Sequence, residues 1–277
     1  MPALAVLVLL IAYPFFLSLY MGMTDKRIGT PGTFIGLQNY LRLLQSDLFW
    51  QVFENTLIFT VFSVVFKTIL GFSLALMLEK VTKGRKVFRS VILLPWVVPI
   101  TLSVLIWWWM FDPSFSVLNW LLTAVGADKV PWLSNALWAR ISVITVNIWR
   151  GTPFFAIVIL AGLVSIPRDF YEAAEIDGAN SFAKLFHITI PLLKPVLGIV
   201  VLYSTVMTVS DFVIVHVLTR GGPLQKTHLF GTLAYQIGLA GSEIGMGAAI
   251  SLFIFPVLAV SAYLLLRIIY KGEEHYS

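Results

Sequence analysis

The chain has no cysteine among its 277 residues. That excludes disulfides, thiolate-ligated zinc and thiol catalysis, and it leaves the redox compartment open. Charge is scarce too: Asp, Glu, Lys and Arg supply 12% of the residues against 58% hydrophobic ones, and the mean hydropathy is +0.89. A soluble globular domain with a polar surface is excluded by that balance. Catalytic motifs are also missing. Lys83-Gly84-Arg85-Lys86 lacks the first glycine and the closing Ser or Thr of a phosphate loop, and neither H-E-x-x-H nor G-x-S-x-G occurs. The four histidines, His187, His216, His228 and His275, are scattered and support no metal site. If the protein moves a solute uphill, another chain must supply the energy.

What is present is apolar sequence in long runs, the mark of a polytopic, all-α integral membrane protein. Six spans of the roughly 20 residues needed to cross about 30 Å of hydrocarbon are expected, at residues 3–23, 55–78, 91–111, 137–166, 196–217 and 246–269. They are expected to be helical because lipid cannot satisfy a free backbone group. The first run carries no basic lead and no small-residue cleavage pattern, so it reads as a span whose cytoplasmic lead-in is short or lies outside this sequence, not as a signal peptide. Lys and Arg outnumber Asp and Glu by 19 to 14. In a lipid-facing chain this excess belongs to loops that set orientation, not to a nucleic-acid surface. The loop Glu79–Ser90 holds Lys80, Lys83, Arg85, Lys86 and Arg89, which places it in the cytoplasm together with both termini and residues 167–195. Trp107, Trp108 and Trp109 fall at the outer end of the third span, where an aromatic belt belongs. The two halves show no repeat, so residues 1–277 read as a single transmembrane domain.

Three ionisable residues fall inside spans, where an unpaired charge costs several kcal/mol: Lys67 in the second, Arg150 in the fourth and Asp211 in the fifth. Arg150 and Asp211 either line a substrate path or pair to hold helices together, and Lys67 fits a helix contact better. Pro95 and Pro99 bracket Trp96, and Pro153 follows Trp149-Arg150-Gly151-Thr152. Kinks at these prolines either open a cavity with Trp96 as an apolar platform or serve packing alone.

Residues 167–195 interrupt the second half with charge, glycine and proline. Two short amphipathic helices are expected to meet at Asp177-Gly178. The first keeps Phe170, Ala173, Ala174 and Ile176 together, and the second keeps Phe182, Leu185, Phe186 and Ile190. Asp169 is the expected cap of the first helix, Gly178 its stop, and Asn180 or Ser181 the cap of the second.

Glu172, Ala173, Ala174, Asp177, Gly178 and Ala179, followed by Phe186, Ile188 and Pro191, resemble the EAA loop of permease subunits in bacterial and archaeal ATP-binding-cassette importers. Other stretches resemble the carbohydrate branch of that family, of the larger maltose permease type. They are G-L-Q-N-Y at 36–40, L-L-P-W-V-V-P at 93–99, the run from Pro153 to Pro167, and L-T-R-G-G-P at 218–223. Ala183 stands where many members place a polar residue.

The resemblance implies that the segment 167–195 is a coupling helix seated on a cytoplasmic ATPase. Ala173 and Ala174 permit close approach, Glu172 offers a carboxylate, and Gly178 turns the chain. It implies a sugar path past Trp96 and Ile100 of the third span, Asn147, Arg150 and Gly151 of the fourth, and Met207, Thr208 and Asp211 of the fifth. It also implies a multi-pass subunit of the inner membrane, working with a second and different permease, two ATPase subunits and an extracytoplasmic solute-binding protein. ATP and magnesium would sit on the ATPase, with no cofactor on this chain. A glycerol phosphate or another polyol is the alternative solute. An ion-coupled secondary transporter would show more spans and repeats, and a membrane enzyme would show a cluster of acids or histidines at one interface.

Overall fold

A computed structural model describes residue 6, residues 8–81 and residues 83–273. The start of the expected first span, His275 and both ends of the sequence lie outside these. A π-helical turn Val8–Ala12 leads into α1 (Tyr13–Gly22), followed by α2 (Gln38–Leu44), α3 (Asp47–Lys80), α4 (Arg85–Val97), α5 (Ile100–Phe111), α6 (Val117–Ala124) and α7 (Ala136–Ser165). Next come α8 (Asp169–Ile176), α9 (Ser181–Lys184), a π turn Leu185–Thr189, α10 (Ile190–Val209), α11 (Val213–Leu218), α12 (Phe230–Tyr235), α13 (Ile244–Leu252) and α14 (Ile254–Glu273). No strand occurs among the described residues, apart from a single bridge between Thr24 and Phe34.

Among the described residues, four continuous helical stretches are long and apolar enough to cross a membrane: Asp47–Lys80, Ala136–Ser165, Ser181–Val209 and Ile244–Leu264. A fifth is formed if α4 and α5 count together, and Val8–Gly22 is shorter. The fourth expected span matches α7 closely, while α3 begins two turns before the second. Two expectations need correction. The third span is not one rod, because α4 and α5 meet at 85°. Pro99 has no N–H to continue the ladder, and Val98 turns to extended backbone. The fifth is not continuous to residue 217, because α10 ends at Val209 and α11 restarts at Val213.

The chain divides into two compact units, each assembled from three stretches: Met1–Phe59, Trp107–Val143 and Val209–Ala259 in the first, and Thr60–Ile106, Ile144–Thr208 and Val260–Ser277 in the second. The core of the first unit gathers Leu43, Phe49 and Val52 with Phe230, Leu233, Ala249 and Ile250. Here buried Asn39, from the G-L-Q-N-Y stretch, donates to the carbonyls of Gly22 (2.9 Å) and Thr24 (2.8 Å), sewing α2 to the end of α1. The loop after α11 is tied down at several points. Thr227 Oγ1 donates to Gly222 O at 2.6 Å, Gln51 to Gln225 O at 2.8 Å, and Arg140 to Lys226 O at 3.0 Å and Asn55 Oδ1 at 2.6 Å. Gly221 has a φ of +85°, and a Cβ there would strike the buried His228 ring.

In the second unit Ala75 and Leu78 of α3 pack with Phe155, Ile159, Leu160 and Leu163 of α7 and with Leu193 and Val200 of α10. Small residues set the approach of α3 to α7. Gly71 faces the Cβ of Phe155 and the backbone of Ala156, and Gly151 faces the aliphatic stem of Lys67. Such contacts are how helices associate in lipid, where hydrophobic burial gives no advantage between apolar surfaces.

Candidate functional site

The second unit brings together most of the expected path. Asn147, Arg150, Gly151 and Phe154 share one side of α7 through their three- and four-residue spacing. Trp96 and Ile100 flank the bend between α4 and α5, and Met207 and Thr208 lie in the last turn of α10. Bending removes the helical partner of the Trp96 carbonyl, and Arg150 Nη2 points to that oxygen from 3.5 Å. At that length the contact is a charge facing a dipole and not a tight hydrogen bond.

The Trp96 ring stacks on Phe154 at 5.7 Å and 21°, and Phe154 meets Tyr203 at 5.0 Å and 40°. The result is a three-ring ladder whose outer members, Trp96 and Tyr203, remain about 40% exposed. Phe154 and Tyr203 were not among the expected path residues. Helical spacing carried the signal, since Phe154 is one turn beyond Arg150 and Tyr203 one turn before Met207.

Of the remaining path residues, Met207 is exposed, Ile100 half-buried and Asn147 buried. Thr208 is buried, and its hydroxyl accepts the ammonium of Lys67 at 2.8 Å. Lys67 therefore does serve a helix contact, and both its neighbours, Gly151 and Thr208, are expected path residues. Asp211 belongs to the first unit, where its carboxylate accepts the Ile214 N–H at 3.1 Å and closes the first turn of α11.

The second cluster of expected residues is the bend after α7. Gly178 takes a φ of +77°, the Ala179 N–H bonds Ala174 O at 2.8 Å, and the Gly178 N–H bonds Glu175 O at 3.1 Å. This pair of bonds ends α8 as a left-handed glycine cap. Asn180 caps α9 by accepting the Ala183 N–H at 2.8 Å, as expected. Asp169 does not cap α8. It is the first helical residue, and Arg168 holds the cap position without a side-chain bond. A Lys184–Glu175 ion pair of 2.6 Å spans the bend. Glu172, Ala173, Asp177 and Gly178 are exposed, and Ala174 and Ala179 are half-buried. Phe170, Ile176, Phe182 and Phe186 project with their rings and chains largely uncovered.

Among the described residues no group of acids and histidines is arranged to hold a metal. An open groove of about 440 Å³ in the first unit is lined by Phe212, Tyr235, Gly238, Gly247 and Ser251 among others. It is poor in donors, so it offers little to a polyhydroxylated solute.

Residues 67–273 match the family model for the binding-protein-dependent transport system inner membrane component. The chain belongs to this family. Over 262 residues it is 38% identical to the trehalose/maltose transport system permease protein MalF of Thermococcus litoralis, covering 93% of this chain and 88% of that protein. It is 32% identical to the sulfoquinovosyl glycerol transport system permease protein SmoG of Agrobacterium fabrum, over 97% of this chain and 88% of its length. Among solved structures, a chain of the bacterial alginate ABC transporter in complex with alginate pentasaccharide-bound periplasmic protein superimposes with a TM-score of 0.79. The match has 25% identity and covers 98% of this chain and 90% of that one. Membership in a family of inner membrane transport components fits the apolar helices and makes this chain an ABC transporter permease of several spans.

Proposed function

We propose that this permease translocates a sugar that an extracytoplasmic binding protein delivers, and that a separate pair of ATPase subunits drives it. The single observation that carries the sugar reading is the Trp96–Phe154–Tyr203 ladder with Arg150 at one end. Aromatic faces take the apolar side of a pyranose ring, while a guanidinium and the Asn147 amide bond its hydroxyls. Similarity to trehalose/maltose, sulfoquinovosyl glycerol and alginate systems supports the same class.

In this reading the subunit crosses the membrane six times, with residues 8–22, α3, α4 with α5, α7, α10 and α13 with α14. Both ends and the α8–α9 bend lie in the cytoplasm, and a second, different permease completes the path. Glu172, Ala173, Ala174, Asp177, Gly178 and Ala179 dock in the ATPase, aided by the exposed Phe170, Ile176, Phe182 and Phe186. ATP and magnesium act on that partner, and this chain hydrolyses nothing. The presence of Arg150 on the ladder favours one variant of the reading, a solute that carries an anionic group, such as a glycerol phosphate.

ATP-dependent uptake into vesicles holding the assembled transporter tests both halves. Glu172→Lys with Gly178→Pro should abolish uptake while the binding protein still docks; unchanged uptake would refute the docking role. Phe154→Ala should raise the KM for sugar with ATP hydrolysis intact, and an unaltered KM would remove the ladder from the path.

A further inference from the structure

The helix α6 is built inside out. Its sequence Val117–Ala124 is amphipathic, yet the polar side is the one that packs inward. Asn119 is 5% exposed. It donates to Val130 O at 3.1 Å and accepts the Val130 N–H at 2.9 Å and the Trp132 indole N–H at 3.1 Å. Ser116 caps the helix by accepting the Asn119 N–H at 3.0 Å, and its own hydroxyl donates to Met110 O at 2.6 Å. Thr123 turns its hydroxyl back to the carbonyls of Asn119 and Trp120. Asp112 accepts the N–H groups of Ser114 and Phe115 at 2.8 and 3.1 Å, which fixes the turn from α5.

The opposite side is apolar and open. Val117, Trp120, Leu121 and Val125 fall at i, i+3, i+4 and i+8, so they form one stripe, and their exposures are 54%, 67%, 50% and 80%. Trp109 and Phe115, on the approach from α5, extend it at 70% and 82%. No ionisable residue occurs from Pro113 to Ala127, and Asp112 precedes that run while Asp128 and Lys129 follow it.

We propose that α6 lies in the membrane interface, with the Val117–Val125 stripe seated among lipid acyl chains and Asp128-Lys129 at the headgroups. An apolar stripe this continuous needs a permanent cover. A binding protein that docks and leaves would return it to water in every cycle. Continuity decides for lipid: between the tryptophans that end α5 and Val125 the one ionisable residue is Asp112, whose carboxylate is taken up by the Ser114 and Phe115 N–H groups, and tryptophans favour the headgroup boundary. Tying the Ser116, Asn119 and Thr123 side chains to backbone within the turn suits a lipid-facing segment, and a polar side turned to protein with an apolar side turned outward is the arrangement of an interfacial helix. The inference rests on reading α4 with α5 as a membrane-embedded pair.

The cysteine-free chain makes a direct test practical. Single cysteines at Val117, Trp120, Leu121, Val125 and Asp128, and at Leu105 and Ile106 of α5, are spin-labelled. The labelled chains are assembled with cysteine-free partner subunits in lipid vesicles, and variants that retain ATP-driven uptake are read. The expected ratio of oxygen to aqueous nickel-complex collisions is several-fold higher at the four stripe positions than at Asp128. Collisions dominated by the nickel complex would put the stripe in water, and protection from both reagents would put a protein over it; either overturns the proposal. Water-like ratios at Leu105 and Ile106 would instead overturn the membrane reading of α5, which keeps the two failures apart.

Discussion

The ammonium of Lys67 and the hydroxyl of Thr208 are 2.8 Å apart, with both side chains buried and the lysine stem lying on Gly151. This contact joins α3, α7 and α10 through residues beside or within the path that the family resemblance implied. A hydrogen bond to a charged group contributes about 1.5–3 kcal/mol, and more is lost when one partner is left behind than when both are removed. Thr208→Val should therefore lower the stability of the purified subunit in detergent by about 1.5–3 kcal/mol. Lys67→Met keeps the stem over Gly151 and removes the charge. In the double variant the loss should be smaller than the sum of the single losses, and simple additivity would show that the two residues are not coupled.

Gly71 and Gly151 set the spacing of α3 and α7. A methyl at Gly71 meets backbone at Ala156, which cannot swing aside, so Gly71→Ala should cost about 1–3 kcal/mol as overpacking does. Ser73→Ala, at an exposed position on the same helix, should change thermal stability by no more than about 0.5 kcal/mol. Equal effects at both positions would remove the special role of the glycine.

Burial holds the His228 imidazole below its ordinary pKa, with a hydrogen bond to Gln236 opposing part of the shift. A depressed pKa means that the neutral ring is favoured in the folded state. The resulting stability is fully present above about pH 6.5, the unfolded value, and is lost as pH falls through the lower folded value. The Tm of the wild type should therefore fall toward that of His228→Gln as pH drops from about 7.5 to about 5.5. A gap that widens over that range would contradict the assignment.

Lys184 and Glu175 form a close ion pair, but Glu175 is 63% exposed. Exposed pairs contribute about 0–1 kcal/mol. Lys184→Ala should thus leave folding nearly unchanged, whereas Gly178→Val, which strains a φ of +77°, should loosen the bend and raise hydrogen exchange over residues 172–184.

The α8–α9 bend was legible because its determinants are local: a left-handed glycine, an Asn cap and two short apolar patterns. Asp169 was misread for the same reason, since several residues near Pro167 can begin the helix and a local pattern does not choose among them. Hydropathy placed α7 almost to the residue, because the 30-residue apolar helix runs unbroken through Pro153. It could not show the angle of the turn at Val98, because the prolines mark where the ladder breaks and not how far the two helices swing apart. The ladder was only half legible. Trp96 stands out beside its prolines, whereas Phe154 and Tyr203 look like ordinary lipid-facing aromatics until three helices bring the rings together. The Lys67–Thr208 bond joins residues 141 positions apart, and no periodicity reports such a distance.

The 85° joint between α4 and α5 also has an elastic consequence. A continuous helix resists flexing because each degree of bend stretches several hydrogen bonds in series. Pro99 lacks the N–H that would continue the ladder across the joint, so a change in angle here turns largely on the torsions at Val98. The restoring force comes from side chains, chiefly the stacked Trp96 and Phe154 rings and the distant Arg150 guanidinium. Removing either ring should therefore shift the angle more than a substitution elsewhere along α4.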